Sequence, residues 1–204
     1  MKLIDQFKDI PTTCISDAME GMNNLDSAIK PLKEVYKVIG RAFTVKMPVG
    51  DNKIFLKAIR EAKPGDVLVV DAKGDTYRAV AGDFIVGMAQ TLGINGIVID
   101  GVIRDIEGIK KLDFPVFCKG STIAASGKAG QGELNVPISC GGATVTPGDI
   151  IIGDVDGVVV IPQELENEVY KRSFEKLTFD RKRAETITGN REETIKYLDE
   201  ILSK

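Results

Sequence analysis

An aspartate stands at position 83 of this chain, and twenty residues, Phe84 to Ile103, separate it from the adjacent pair Arg104-Asp105. The stretches that carry them read Gly-Asp-Phe-Ile-Val-Gly-Met-Ala (82–89) and Asp-Gly-Val-Ile-Arg-Asp (100–105). Each acid falls where strand character gives way to helix character, a place with free backbone N–H groups. Those at Asp83, Phe84 and Ile85 would attract an anion such as a carboxylate, and Gly82 would let it come close. Arg104 can pair bidentately with a carboxylate or polarise a carbonyl oxygen. Asp105, with Asp83 opposite, can hold a divalent cation directly or through its waters. Each aspartate alone also fits a helix cap, and Arg104 beside Asp105 also fits a solvated ion pair. Type and spacing leave both readings open.

Composition narrows the chemistry. The chain of 204 residues contains no histidine, which removes Ser-His-Asp and Cys-His machinery, phosphohistidine chemistry and His-ligated metals together. An oxygen-only site favours a hard cation, Mg²⁺ or Mn²⁺. The three cysteines, Cys14, Cys118 and Cys140, are far apart and form no C-x-x-C pair, so neither a structural zinc nor a disulfide framework is expected. A net charge of −3 with no basic block argues against a nucleic-acid partner. No apolar run approaches the ~20 residues of a membrane helix. Acids interrupt the N-terminal MKLIDQFKDIPTT where a signal peptide needs an apolar core, so the cytoplasm is the expected location.

The elements that must position these residues follow from periodicity. A helix is expected through CISDAMEG, capped by Thr12 or Thr13 and ended by Gly21. VIGRAFTVKM reads as a strand, and KIFLKAIREA as a short helix stopped by Pro64. PGDVLVVD is a turn feeding a strand that ends in a turn at AKGD; Gly82 to Leu92 is a helix, stopped by Gly93. GIVID, a helix over Asp105–Leu112 and the strand FPVFCK complete a parallel βαβ run. NVPISCGGATV and PGDIIIGDVDGVVVIP are short strands punctuated by tight turns, and PGDIIIGD echoes PGDVLVVD. Charged helices follow Pro162, broken at Gly189-Asn190. The expectation is one α/β domain over residues 1–162, with 163–204 as its helical C-terminal extension.

GDFIVGMA, GINGIVIDGVIRD, FPVFCKG and PGDIIIGDVDGVVVIP, with TTCISDAM and GRAFTV upstream, resemble the RraA-like family over roughly Thr12 to Pro162. That family includes a divalent-metal-dependent class II aldolase for 4-hydroxy-4-methyl-2-oxoglutarate that also decarboxylates oxaloacetate, and a regulator of ribonuclease E activity. Its enzymatic members are marked by an Asp, twenty residues and Arg-Asp, a spacing that Asp83 and Arg104-Asp105 meet. The resemblance implies a swivelling-type β/β/α domain assembled as a homotrimer or a pair of trimers, with sites between subunits. It implies that Gly82 to Ile85 receive the carboxylate of a 2-oxo acid substrate and that Arg104 binds near the keto oxygen. Asp105 would then ligate the metal, and Asp83 would hold the metal's water and assist proton transfer. It also implies an acid from the neighbouring subunit's C-terminal region, for which Glu175, Glu185, Glu192 and Glu193 are candidates.

Two rival chemistries have less behind them. A Schiff-base aldolase needs a desolvated lysine, and the one considered, Lys73, lies in the turn-like AKGD. Nucleotide-dependent methyl transfer has no strand-linked G-x-G-x-x-G here. The alternative from another class is a non-catalytic regulator that binds and inhibits a ribonuclease E-type enzyme.

Overall fold

The structure, a computed structural model, describes residues 3–128 and 130–203. In chain order its strands are β1 (Lys30–Pro31), β2 (Val38–Lys46), β3 (Asp66–Asp75), β4 (Gly96–Ile103), β5 (Val116–Cys118) and β6 (Gly120–Ser121). They continue as β7 (Glu133–Leu134), β8 (Ile138–Cys140), β9 (Ala143–Val145), β10 (Ile150–Asp154) and β11 (Gly157–Ile161). The α-helices are α1 (Thr12–Ala18), α2 (Lys53–Glu61), α3 (Asp83–Thr91), α4 (Ile106–Leu112), α5 (Glu166–Ile187) and α6 (Arg191–Leu202). The main sheet runs β1-β5-β4-β3-β2-β10-β11, with β2, β3, β4 and β5 parallel to their neighbours within that group. The hairpin β10–β11 extends it antiparallel, and β8–β9 forms a separate two-stranded hairpin.

The apolar runs of the central strands reflect a sheet covered on both faces. Alternate residues point to opposite sides. Leu68, Val70, Ile97 and Ile99 pack with Phe55, Ala58 and Ile59 of α2, Val86 and Ala89 of α3 and Ile109 of α4. Val67, Val69 and Val98 face the other way, onto Ile138, Cys140, Ala143 and Val145 of the small hairpin. A third cluster joins Ile150, Ile152, Val159 and Ile161 to Ile15 of α1 and Val169 and Leu177 of α5. The half-buried guanidinium of Arg41 binds both carboxylate oxygens of Glu166, the Nη2–Oε2 contact being 3.0 Å, and so ties α5 to β2. The sheet and its helices thus form the α/β, swivelling-type arrangement expected from the sequence. No helix among the described residues is long and apolar enough to cross a membrane.

Three local expectations need correction. β3 does not end at Asp71: it continues through AKGD with a register shift against β4, and Lys73 and Gly74 sit at φ +61° and +66°. The left-handed pair reads as a turn in sequence, but the edge it leaves is still paired in the sheet. GIVID likewise continues as β4 to Ile103, because β6 pairs with Val102 and Ile103. Thr12 does not cap α1: its backbone N–H and its hydroxyl both donate to Asp154, at 2.9 and 2.6 Å, and Pro11 holds the cap position.

The echoed motifs form the same turn. In each, Pro-Gly occupies the centre, glycine lies at φ +91°, and the aspartate carboxylate accepts the N–H of the residue before Pro at 2.8 Å. This is the pattern of a type II turn closed by a side chain. All three cysteines are buried and unpaired, and burial with Asp100 and Asp71 nearby drives the Cys140 thiol well above its ordinary range.

The paired turns give a comparative prediction. Gly65→Ala meets open space, so its cost is backbone strain alone, about 1–2 kcal/mol, whereas at Gly148 a new Cβ also meets Gln163 at 2.9 Å. In urea denaturation Gly148→Ala is expected to lose more stability than Gly65→Ala. Equal losses would show that the Gln163 contact yields freely.

Candidate active site

The site is built where β4 hands the chain to α4. The segment 79–82, arriving from β3, lies alongside the end of β4: Val80 N–H donates to Val102 O at 2.8 Å, and Arg104 N–H donates to Ala81 O at 3.0 Å. On its other side Ala79 N–H donates to Ala124 O at 2.9 Å, and the Ser126 hydroxyl donates to Ala79 O at 2.7 Å. Asp83 begins α3 directly after this segment, and Asp105 immediately precedes α4. Residues twenty apart in sequence are thereby brought side by side.

Asp105 makes no helix-capping bond, and Asp83 stands one residue inside α3, whose cap position is Gly82. Asp105 occupies the cap position of α4, yet its side chain makes no capping bond; its backbone is left-handed, at φ 58° and ψ 41°. Aspartate, like asparagine, adopts that conformation more readily than most residues other than glycine. Its carboxylate turns instead toward Gly82 and the Arg104 guanidinium, with Nε–Oδ2 at 3.3 Å. Both side chains remain a little under half exposed, at 43% and 44%. The glycine at 82 makes room for this arrangement: an added Cβ would run into Asp105 Oδ2 and lie 3.3 Å from Arg104 Cγ and Nε, so those side chains would have to shift. Asp83 is exposed, and Phe84 N–H donates to Asp83 Oδ1 at 2.7 Å. One of the three N–H groups expected to receive an anion therefore carries the Asp83 carboxylate, which an incoming ligand has to displace.

Gly82, Asp83, Phe84, Ile85, Arg104 and Asp105 all line one cavity of about 240 Å³. The cavity also contains three polar residues that spacing did not single out: Asn52, Ser126 and Lys128. Asn52 is buried; its Nδ2 donates to Val80 O at 2.7 Å, while its Oδ1 is enclosed without a hydrogen-bond partner. A buried amide oxygen left unpaired in a cavity is an acceptor waiting for a ligand donor or a water. Asn52 was legible in principle, because the β2–α2 connection is also the carboxyl end of a parallel strand, where ligand crevices form. Ser126 and Lys128 lie on a long connection with no such signal. Lys73 is not in the cavity: its ammonium pairs with the buried Asp71 carboxylate. Glu175, Glu185, Glu192 and Glu193 stand on α5 and α6, outside it.

The residues suit a hydrated hard cation better than a caged one. Among the described residues no three His, Cys, Asp or Glu groups gather closely enough to enclose a metal. Mg²⁺ ordinarily binds through one or two carboxylates and keeps several waters or ligand oxygens, and Asp105 and Asp83, which line one cavity, offer carboxylate oxygens of that kind.

A mixed sheet with helices packed on it, and a carboxylate–arginine cavity at the carboxyl ends of its parallel strands, places this protein in the α/β class. Within that class the chain belongs to the RraA-like family, whose model, described as Aldolase/RraA, matches residues 12–160. It is 55% identical over 199 residues, 98% of this chain and 95% of the relative, to a protein of Halalkalibacterium halodurans named "Putative 4-hydroxy-4-methyl-2-oxoglutarate aldolase". Among solved structures, an uncharacterized protein from Pseudomonas syringae pv. tomato superposes with a TM-score of 0.85 at 30% identity, covering 96% of this chain and 93% of that one. The RNA-processing inhibitor RraA from Thermus thermophilis superposes with a TM-score of 0.70 at 29% identity, covering 76% and 93%.

Asn52→Ala would leave the buried Val80 carbonyl without its donor. The expected loss is about 1–3 kcal/mol of stability in urea denaturation, with faster amide exchange at Val80 and Arg104. Unchanged exchange at both amides would mean that the segment 79–82 is held without Asn52.

Proposed function

We propose that this protein is a divalent-metal-dependent lyase that cleaves a C–C bond of a 4-hydroxy-2-oxo acid to release pyruvate. Oxaloacetate decarboxylation is proposed at the same site. The observation that carries this reading is the convergence of Asp83, Arg104 and Asp105 on one cavity, with Asp105 turned away from the capping role its position offers. The name of the H. halodurans relative supports the aldolase reading and the 4-hydroxy-4-methyl-2-oxoglutarate type of substrate.

In this reading Asp105 holds the cation, Mg²⁺ or Mn²⁺, with Asp83 close by. When bound, the cation supplies Lewis-acid polarisation of the substrate's keto group. The backbone N–H groups of Gly82 to Ile85 receive the substrate carboxylate at the start of α3. The Arg104 guanidinium faces the keto oxygen and stabilises the negative charge that develops there as the C–C bond breaks. Asp83, at the exposed mouth, takes the proton of the remote hydroxyl, directly or through one water, in aldol cleavage. Decarboxylation of oxaloacetate releases CO₂ and leads to the same pyruvate enolate with no hydroxyl proton to remove; in both reactions a proton from water at the cavity mouth converts the enolate to pyruvate, so one arrangement serves both.

Beside the cavity lies an open groove of about 1020 Å³, lined by Leu56, Ile59, Met88, Leu92 and Leu112 and sharing Asp83 and Phe84 with the site. Phe84 is 78% exposed. A neighbouring copy covering this face would shield the site from water, in keeping with a homotrimer or hexamer. A second reading, a binding protein that docks on a ribonuclease E-type enzyme, is supported by the likeness to the RNA-processing inhibitor.

The test is pyruvate formation from 4-hydroxy-4-methyl-2-oxoglutarate and from oxaloacetate, with Mg²⁺ and then with excess EDTA. Turnover is expected to require the metal and to exceed the spontaneous decay of oxaloacetate. Asp105→Ala should lower kcat/KM on the order of 10³-fold, and Arg104→Ala by 10²–10³-fold, with the unfolding transition retained. Turnover that survives both EDTA and Asp105→Ala would remove the metal-lyase reading; a protein inert toward both substrates would favour the binding role.

A further inference from the structure

The two aspartates of the site each rest on a glycine that belongs to the other's segment. Asp105 lies over Gly82, the residue before Asp83; Asp83 lies over Gly108, three residues beyond Asp105. A Cβ added at Gly108 would collide with Asp83 Oδ2 and come within 2.7 Å of its Cβ and 2.8 Å of its Cγ. All three nearest atoms are those of the Asp83 side chain.

Nothing else at this position calls for glycine. Gly108 lies within α4 and is absent from the residues with positive φ, so alanine suits its backbone and is the better helix former. General packing of α3 on α4 does not demand it either: at Gly87, in the same interface, a Cβ would meet Leu112 at an ordinary 3.8 Å. Of the two glycines in this interface, Gly108 is the one in close approach, and the atoms it meets belong to a carboxylate of the candidate site.

We propose that Gly108 is a positioning residue for Asp83: it admits the carboxylate against α4 and so sets where that side chain stands relative to Arg104 and Asp105. This rests on the lyase reading above, in which aldol cleavage needs a base at Asp83 and decarboxylation does not. A side chain at 108 would push Asp83 toward solvent while leaving Asp105 and Arg104 on their own backbone supports.

The experiment compares wild type, Gly108→Ala, Asp83→Gly and the double variant, each assayed for aldol cleavage and oxaloacetate decarboxylation with Mg²⁺ and for thermal unfolding. Gly108→Ala is expected to lower kcat for aldol cleavage about 10–10²-fold while decarboxylation changes by less than about threefold, the loss of a positioned base being worth 10²–10⁴-fold at most. It should lower the unfolding midpoint in the wild-type background, and leave it unchanged or raise it on Asp83→Gly, where the colliding side chain is gone. An equal fall in both activities, or a midpoint shift of the same size in both backgrounds, would overturn the proposal and leave Gly108 a packing residue. If Asp83→Gly itself does not slow aldol cleavage, the role of Asp83 in the lyase reading fails. If Asp83→Gly slows it and Gly108→Ala does not, the positioning role fails alone.

Discussion

The carboxyl end of β4 is held between two backbone neighbours, and the candidate site depends on that arrangement. On one side β6 continues the sheet along Val102 and Ile103; on the other, the segment 79–82 takes the place that β3 leaves after its register shift. The Val80 and Arg104 N–H groups donate to Val102 and Ala81, both buried residues, so the two chain segments cannot drift apart without leaving polar backbone unpaired. Asp83 and Asp105 emerge from the two sides of this seam. Their proximity is a consequence of backbone pairing and not of attraction between the side chains, which carry like charge.

Charge elsewhere in the molecule is handled differently. Asp71 is paired with Lys73, Asp100 and Asp26 share Lys119, and Glu166 grips Arg41. Those carboxylates are engaged by basic side chains that hold the fold together. Among the described residues, Asp83 and Asp105 are engaged by the residues next to them in sequence, the Phe84 N–H and the Arg104 guanidinium. A carboxylate with so local a partner keeps most of its lone pairs for a ligand. Glycine serves the same end, since Gly82 makes room beneath Asp105 while Arg104 stays within 3.3 Å of it.

Much of the architecture was legible because its signals are short-range. The Pro-Gly-Asp turns at 64–66 and 147–149 recur as the same turn since φ > 0 at glycine and an Asp closing the turn are local requirements. Apolar runs such as VLVV and IVI mark strands buried on both faces, and their parallel order followed from the intervening helices. Errors arose where tertiary pairing outweighed a local signal. AKGD has turn chemistry and is nonetheless part of β3, and Thr12 has capping chemistry that Asp154 draws away.

For the site, the sequence by itself determined the chemical inventory: no histidine, an aspartate and an Arg-Asp pair at a family-like spacing, and glycines where side chains would obstruct. Only the tertiary structure decided that Asp105 leaves its capping position for the cavity, and that Asn52 closes the cavity with an unpaired oxygen. It also turned the Asp83 carboxylate onto the Phe84 N–H. The physical reason is range. Residue type and spacing report what a segment can do alone, whereas the direction of a carboxylate and the burial of an amide oxygen are set by which distant segment lies against them.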